Sequence, residues 1–115
     1  MIDAFKMEQE ALKIARSIEK GKREDYVNHT KKISHMIFQC GLNQTLEFFK
    51  AKEKDYKELE EHLNRLLKNP PKDSPFAYME ATKAYLDGLH YLGRFTEALY
   101  LGRFTEALSK EGDNR

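Results

Sequence analysis

Four histidines, one cysteine and a cluster of glutamates are the residues of this chain that could carry out acid–base, nucleophilic or metal chemistry. His29 and His35 lie six residues apart. On one helix they would point roughly 120° from each other, which suits a paired general acid and base poorly. The sequence contains no HExxH motif, no glycine loop that could cradle a phosphate and no GxSxG motif. These observations predict a protein without a catalytic site.

The cysteine and the glutamates are expected to have structural roles. Cys40 is the single cysteine, which excludes an intrachain disulfide and a zinc site built from several cysteines. It lies on the apolar stripe of its predicted helix, so we expect it to be buried in the core. The glutamates alternate with basic residues, a pattern typical of a solvated helix face rather than a metal site. The glutamates are Glu58, Glu60 and Glu61, and the basic residues around them are Lys54, Lys57 and Arg65. We therefore expect neither a metal nor a cofactor.

One window of the sequence could bind phosphate groups. Residues 26–46 contain no aspartate or glutamate. On a helical wheel the polar side chains of this window share the face opposite Ile33 and Ile37, so they are expected to be exposed. Phosphate oxygens favour positive charge and hydrogen-bond donors without nearby repulsion. An ordinary polar helix face remains the alternative. The polar residues are Asn28, Lys31, Lys32, His35 and Gln39, and Lys50, Lys52 and Lys54 could extend the surface, although Glu53 and Asp55 dilute it.

Composition limits the classes of protein to which the chain can belong. Its 115 residues suit one domain with a single core. Twenty basic residues against 19 acidic ones leave a net charge of +1, which argues against strong nucleic-acid binding by the isolated chain. No apolar run approaches the roughly 20 residues that cross a bilayer, and charges spread through residues 1–20 argue against a signal peptide. We expect a cytoplasmic protein that does not contact membranes.

Apolar spacing of three and four residues predicts an all-α fold, a single-domain bundle of about five helices with short connections. Gly21 is the expected end of the first helix, and Gly41 ends or bends the second. The pair Pro70-Pro71 ends the fourth, and Asp73 or Ser74 can cap the last helix, with Pro75 at its first position. The predicted helices span residues 1–20, 24–40, 43–52, 54–68 and 76 to at least 99.

A nine-residue segment, YLGRFTEAL, occurs twice in succession, at residues 91–99 and 100–108. At 100° per residue a shift of nine residues turns the second copy by 180°, so a straight helix would present the two apolar triads on opposite sides. We assign Phe95 and Leu99 of the first copy to the core. The second copy would then expose Leu101, Phe104 and Leu108, meet another chain or bend away near Gly102. A duplication appended to a complete helix is one interpretation, and an apolar face for a partner is the other.

We divide the chain into a bundle, residues 1–99, and an extension, residues 100–115.

Two segments resemble a known family. Residues 31–67 contain a basic pair, an apolar helix, Gly41-Leu42, Leu46 with Phe48, and a lysine-rich turn. Residues 84–99 end in a basic residue, an aromatic residue and Glu-Ala-Leu. Both segments, in this order, are similar to the small all-helical subunit of the type III-B CRISPR effector, the Cmr RNA-guided RNA-targeting complex. Met36 departs from the family pattern, where many members have proline, and Gly93 lies near a usual tryptophan or lysine. The second copy of YLGRFTEAL lies beyond the family's usual end.

The resemblance implies a non-catalytic subunit that is stacked in several copies along the guide RNA and helps to hold the guide–target duplex. Other Cmr subunits, guide RNA, target RNA and further copies of itself would be its partners, and RNA cleavage would belong to the backbone subunit. We also keep two alternatives, a helical protein–protein interaction module without RNA contact and a ribonuclease that uses His35 with Lys31. The residues expected to contact RNA phosphate or sugar are Lys31, Lys32, His35, Gln39, Lys50, Lys52 and Arg94.

Overall fold

The apolar stripes of the sequence form five α-helices that surround one core. The computed structural model describes residues 3–113, with side chains described throughout that range except at positions 53, 55 and 103–113. Within the described residues there is no β-strand, so the prediction of an all-α bundle with short connections is confirmed. The helices are α1 (Ala4–Ser17), α2 (Arg23–Cys40), α3 (Leu42–Ala51), α4 (Glu53–Leu67) and α5 (Pro75–Asp113), with a 3-10 turn at Lys20–Lys22.

The first helix ends earlier than predicted. Its last residue is Ser17, whereas Gly21 lies within the 3-10 turn. Ile18 leaves the helix with extended backbone angles and is buried. α1 therefore ends four residues before the glycine, so the expected role of Gly21 is wrong. At the other end of α1, Asp3 caps the helix by accepting hydrogen bonds from the backbone N–H groups of Phe5 and Lys6.

The core follows the predicted stripes closely. Tyr26, Thr30, Ile33 and Ile37 of α2 are buried. The five apolar residues at helical spacing in α4 are buried as well, and the residues are Tyr56, Leu59, Leu63, Leu66 and Leu67. Burying these stripes on every helix supplies the main favourable free energy for folding, since each buried aliphatic or aromatic side chain contributes about 1.5–3 kcal/mol.

Cys40 is exposed, so the prediction of a buried cysteine is wrong. It is the last residue of α2, and Gly41 follows with φ of 86°. This left-handed backbone conformation favours glycine and turns the chain away from the axis of α2. Leu42, the first residue of α3, is then fully buried. The core position that continues the stripe of α2 is therefore filled from the next helix.

The last helix is the longest element, and both copies of the nonapeptide lie within it. Ser74 caps it, because its Oγ accepts a hydrogen bond from the Ala77 N–H at 3.1 Å, and Pro75 is its first residue, as predicted. Leu89 and Leu92 are buried and Phe95 packs against the core, which confirms the predicted register. Leu99 is only half-buried, so its assignment to the core is wrong. The buried residue of that turn is Thr96 instead.

The second copy begins on the exposed side of α5. Leu101 is 51% exposed. The predicted positions of Phe104 and Leu108 lie outside the described side chains. α5 continues through residues 99 and 100 as one helix, so no break in secondary structure marks a boundary there. The division into a bundle of residues 1–99 and an extension of residues 100–115 stays a prediction.

Candidate nucleic-acid interface

The outer face of α2 carries the central residues of the predicted interface. Asn28, Lys32, His35 and Gln39 follow each other at spacings of three or four residues, and all four are exposed. The opposite face of the same helix buries Ile33 and Ile37 in the core. Burial of that apolar face fixes the rotation of α2, so the donors of the outer face point to solvent together.

Lys31 lies at the edge of this face that borders α5. Its Nζ is 3.2 Å from Oε2 of Glu97, and the lysine is 67% exposed. The two side chains line a groove of about 240 Å³ together with Glu24 and Tyr100. The window of residues 26–46 is free of acids along the chain, but α5 brings a carboxylate next to Lys31 in space. The acid-free surface expected from the sequence is therefore interrupted at this position.

Close packing of α2 against α5 produces this pairing. The two helices approach each other closely where Thr30 faces Gly93, since a Cβ on that glycine would lie 2.6 Å from the Thr30 Oγ1. Lys31 follows Thr30, and Glu97 is one helical turn after Gly93. Glycine at position 93 allows this close approach, which brings Glu97 within reach of Lys31.

Lys32 lies on the other edge of the face, toward α4. Its Nζ is 5.9 Å from the centre of the Tyr56 ring, a distance at which a cation is attracted to the ring face. The His29 ring lies 4.6 Å from the same Tyr56 ring, measured between centroids. Lys52 begins the turn that leads to Tyr56, since its carbonyl oxygen accepts a hydrogen bond from the Tyr56 N–H at 3.2 Å.

The structure does not bring all seven predicted residues together. Arg94 is exposed on α5, one turn before Glu97, and so lies near the Lys31 edge. Lys50 is exposed but pairs with Glu47 on its own helix at 3.3 Å. It lines a different groove with residues that include Lys72 and Tyr85. Lys31, Lys32, His35 and Gln39 thus form one surface, with Arg94 and Lys52 at its edges and Lys50 apart from it.

A polar contact that sequence analysis did not identify joins α2 to α4 beneath this surface. The Tyr26 hydroxyl and the His62 Nδ1 are 2.8 Å apart. Burial, reinforced by the negative charge of Glu58, raises the pKa of Tyr26, so the phenol keeps its proton. Burial also lowers the pKa of His62, which favours the neutral imidazole that can accept this hydrogen bond. Nothing in the spacing of the sequence indicates that Tyr26 and His62 are partners.

The lowered pKa of His62 predicts a pH dependence of stability. The unfolded chain binds a proton at His62 below about pH 6.5, whereas the folded protein resists it until the pH is lower. The free energy of unfolding therefore decreases as the pH falls through this range. We expect the melting temperature to drop more between about pH 7 and about pH 5 in the wild type than in His62→Gln, whose amide does not titrate. Parallel melting curves for the two proteins across this range would contradict the assignment.

Neither a metal site nor a catalytic pair stands out among the side chains that the structure describes. No group of three or more histidine, cysteine, aspartate or glutamate residues is arranged there to hold a metal ion. Within the same set, no hydrogen bond or ion pair joins His35 to Lys31, the two residues of the ribonuclease alternative. No helix of the described region has the length and apolar character that crossing a membrane requires.

Residues 4–99 match the family model of the CRISPR-associated protein Cas_Cmr5. The match includes all of α1 to α4 and ends at the last residue of the first nonapeptide copy. Neither the curated proteins nor the solved structures include a significant match to this chain.

Proposed function

The chain belongs to the CRISPR-associated Cmr5 family, and we propose that it is a non-catalytic, RNA-binding subunit of the type III-B Cmr complex. The family places it in the multi-subunit Cmr complex, with other Cmr subunits as partners. The finer proposal is that it stacks along the guide–target RNA in several copies in the cytoplasm. One observation carries it, namely the exposed outer face of α2, where Lys31, Lys32, His35 and Gln39 present donors to solvent.

The chemistry of this face suits the RNA backbone better than a particular base. Lysine and histidine donors contact phosphate oxygens, and the glutamine amide reaches phosphate or ribose. A guide and its target vary in sequence, but contacts to phosphate and sugar contribute to binding whichever bases are present. Each copy then needs only a few such contacts, because assembly raises the effective concentration of every copy. A net charge of +1 is compatible with that role.

The two lysines are expected to differ in strength. Glu97 holds Lys31 in an ion pair, and a phosphate must compete with that carboxylate for the ammonium group. Lys32 contacts the face of an uncharged ring, which leaves its charge available. We therefore expect Lys32 to contribute more than Lys31 to phosphate binding.

The double substitution Lys31→Glu with Lys32→Glu tests the proposed function. Both side chains are exposed, so the melting temperature should change little, even though Lys31→Glu puts a second carboxylate beside Glu97. The variant should bind more weakly to the other Cmr subunits assembled on guide RNA. Loss of two phosphate contacts should also make the slope of log affinity against log salt shallower by about 1 to 2. Affinity would be measured by titration at several salt concentrations.

A second pair of lysines provides the control. Lys20→Glu with Lys22→Glu changes the net charge equally, but these residues lie in the 3-10 turn, outside the proposed surface. The control should keep the affinity and the salt slope of the wild type. If the Lys31/Lys32 variant assembles with unchanged affinity and slope, the outer face of α2 is not an RNA surface. The alternative of a protein–protein interaction module without RNA contact would then stand.

A further inference from the structure

Phe38 is a large aromatic residue on α2 that the core does not use. It is 77% exposed, more than any other large apolar residue whose side chain the structure describes. The buried face of α2 at this level is supplied by Ile33 and Ile37. Exposure of a phenylalanine ring on an otherwise polar face has no stabilising role within this chain.

Helix geometry places Phe38 on the proposed RNA surface. It follows Lys31 by seven residues, which is a rotation of about 20°, and His35 by three, about 60°. Gln39 is the next residue and is exposed beside it. On its own helix the ring thus lies near two hydrogen-bond donors, His35 and Gln39, within the window that contains no acidic residue.

Phe38 differs in these surroundings from Phe5 and Met79, two other exposed apolar residues. Phe5 is two residues after Asp3 and three before Glu8. Met79, at the beginning of α5, is followed directly by Glu80. Acidic neighbours disfavour a polyanion at those two positions, whereas residues 26–46, which surround Phe38 in sequence, contain no acidic residue.

We infer that Phe38 is a stacking site for an unpaired RNA base, and this inference rests on the proposed function. Bases that leave the helical stack in RNA–protein complexes stack on aromatic rings, and every base offers a π-face. Such a contact tolerates any sequence, as the phosphate contacts of Lys31 and Lys32 do. His35 and Gln39 are placed to bind the phosphate or ribose of the stacked nucleotide.

The test uses the complete protein in a Cmr complex reconstituted on guide and target RNA that carry 2-aminopurine at single positions. Phe38→Ala should lower the affinity of the subunit for the RNA-bearing complex by about 5- to 100-fold, the usual range for one stacked base. The salt slope should not change, because stacking releases no counterions. At one or more positions, 2-aminopurine fluorescence should be quenched by the wild type and not by Phe38→Ala.

Three further variants separate stacking from other contacts. Phe38→Trp should keep the affinity and the quenching, whereas Phe38→Leu, which keeps apolar volume without an aromatic face, should lose both. Phe5→Ala removes another exposed ring, 66% exposed, from α1 and should behave as the wild type. All four substitutions are at exposed positions, so unchanged melting temperatures would show that each variant is folded.

Other results would overturn the inference in distinguishable ways. If Phe38→Leu binds as well as the wild type, or if affinity falls without a change in fluorescence, the ring contacts a protein subunit and not a base. If Phe38→Ala has no effect while Lys31→Glu with Lys32→Glu weakens binding, the stacking site is wrong and the RNA surface stands. If neither variant changes RNA-dependent assembly, the proposed function fails as well.

Discussion

Replacing Leu92 by alanine is expected to lower the free energy of unfolding by about 2–5 kcal/mol, the usual cost of a large cavity in a core. Leu92 is fully buried. The equivalent leucine of the second copy, Leu101, is 51% exposed. Leu101→Ala should therefore change stability by less than about 0.5 kcal/mol.

The duplication makes this comparison unusually well controlled. Leu92 and Leu101 have the same neighbours in sequence, from one residue before to seven after, and both lie in α5. Helix propensity and residual structure of the unfolded chain then affect both substitutions almost equally. The difference between their effects on the free energy of unfolding therefore reports the difference in burial. Urea denaturation of both variants at the same protein concentration would measure it. If Leu101→Ala were the more damaging variant, the second copy would occupy the core.

Residues before the duplication explain why the first copy is the one that packs. Shifting α5 by nine residues would place Glu97 where Gly88 now lies, and Gly88 faces the side chains of Leu63 and Leu66 at 3.4 and 3.6 Å from a Cβ position. The same shift would put Arg94 in the buried position of Tyr85. A charged residue at either position would lose its hydration without a partner. The register of α5 is therefore set by the segment that the duplication does not repeat.

The fold was predictable because each helix carries its own signal. In α4, five apolar residues at helical spacing and a proline pair after the helix identify the element, its buried face and its end without knowledge of the other helices. The 180° rotation between the two copies likewise follows from helix geometry alone, and the exposure of Leu101 agrees with it. The site was less predictable. The exposure of Lys31, Lys32, His35 and Gln39 follows from the helical period of α2. The residues that other helices place beside them cannot be predicted from that period.

Contacts between helices account for the errors. The carboxylate beside Lys31 comes from Glu97 on α5, so an acid-free stretch of sequence does not guarantee an acid-free surface. The burial of Cys40 was expected from its own stripe, but the turn at Gly41 lets Leu42 fill the core instead. Thr96 is buried because α5 packs closely on its neighbours, and a hydrophobic pattern does not identify a buried threonine. Each error concerns a position whose environment is set by a different helix.

The two glycines of the duplication should respond with opposite signs to the same substitution. Gly93→Ala would place a Cβ 2.6 Å from the Thr30 Oγ1, well inside van der Waals contact. Thr30 cannot move away freely, because it is buried and its Oγ1 donates a hydrogen bond to the Val27 carbonyl oxygen at 2.6 Å. We expect a loss of about 1–3 kcal/mol, the usual cost of overpacking, which exceeds the gain in helix propensity.

Gly102→Ala has no neighbouring atom within 4 Å of the added carbon. There the substitution only replaces glycine inside a helix, which should stabilise the protein by about 0.5–1 kcal/mol. Thermal or urea denaturation would measure both variants, and Thr30→Ala should recover part of the loss caused by Gly93→Ala because it removes the clashing oxygen. Equal effects of the two glycine substitutions, or no recovery by Thr30→Ala, would contradict the close approach of α2 and α5. The placement of Glu97 beside Lys31 depends on that approach. The affinity of the Gly93→Ala variant for RNA should therefore be measured alongside its stability.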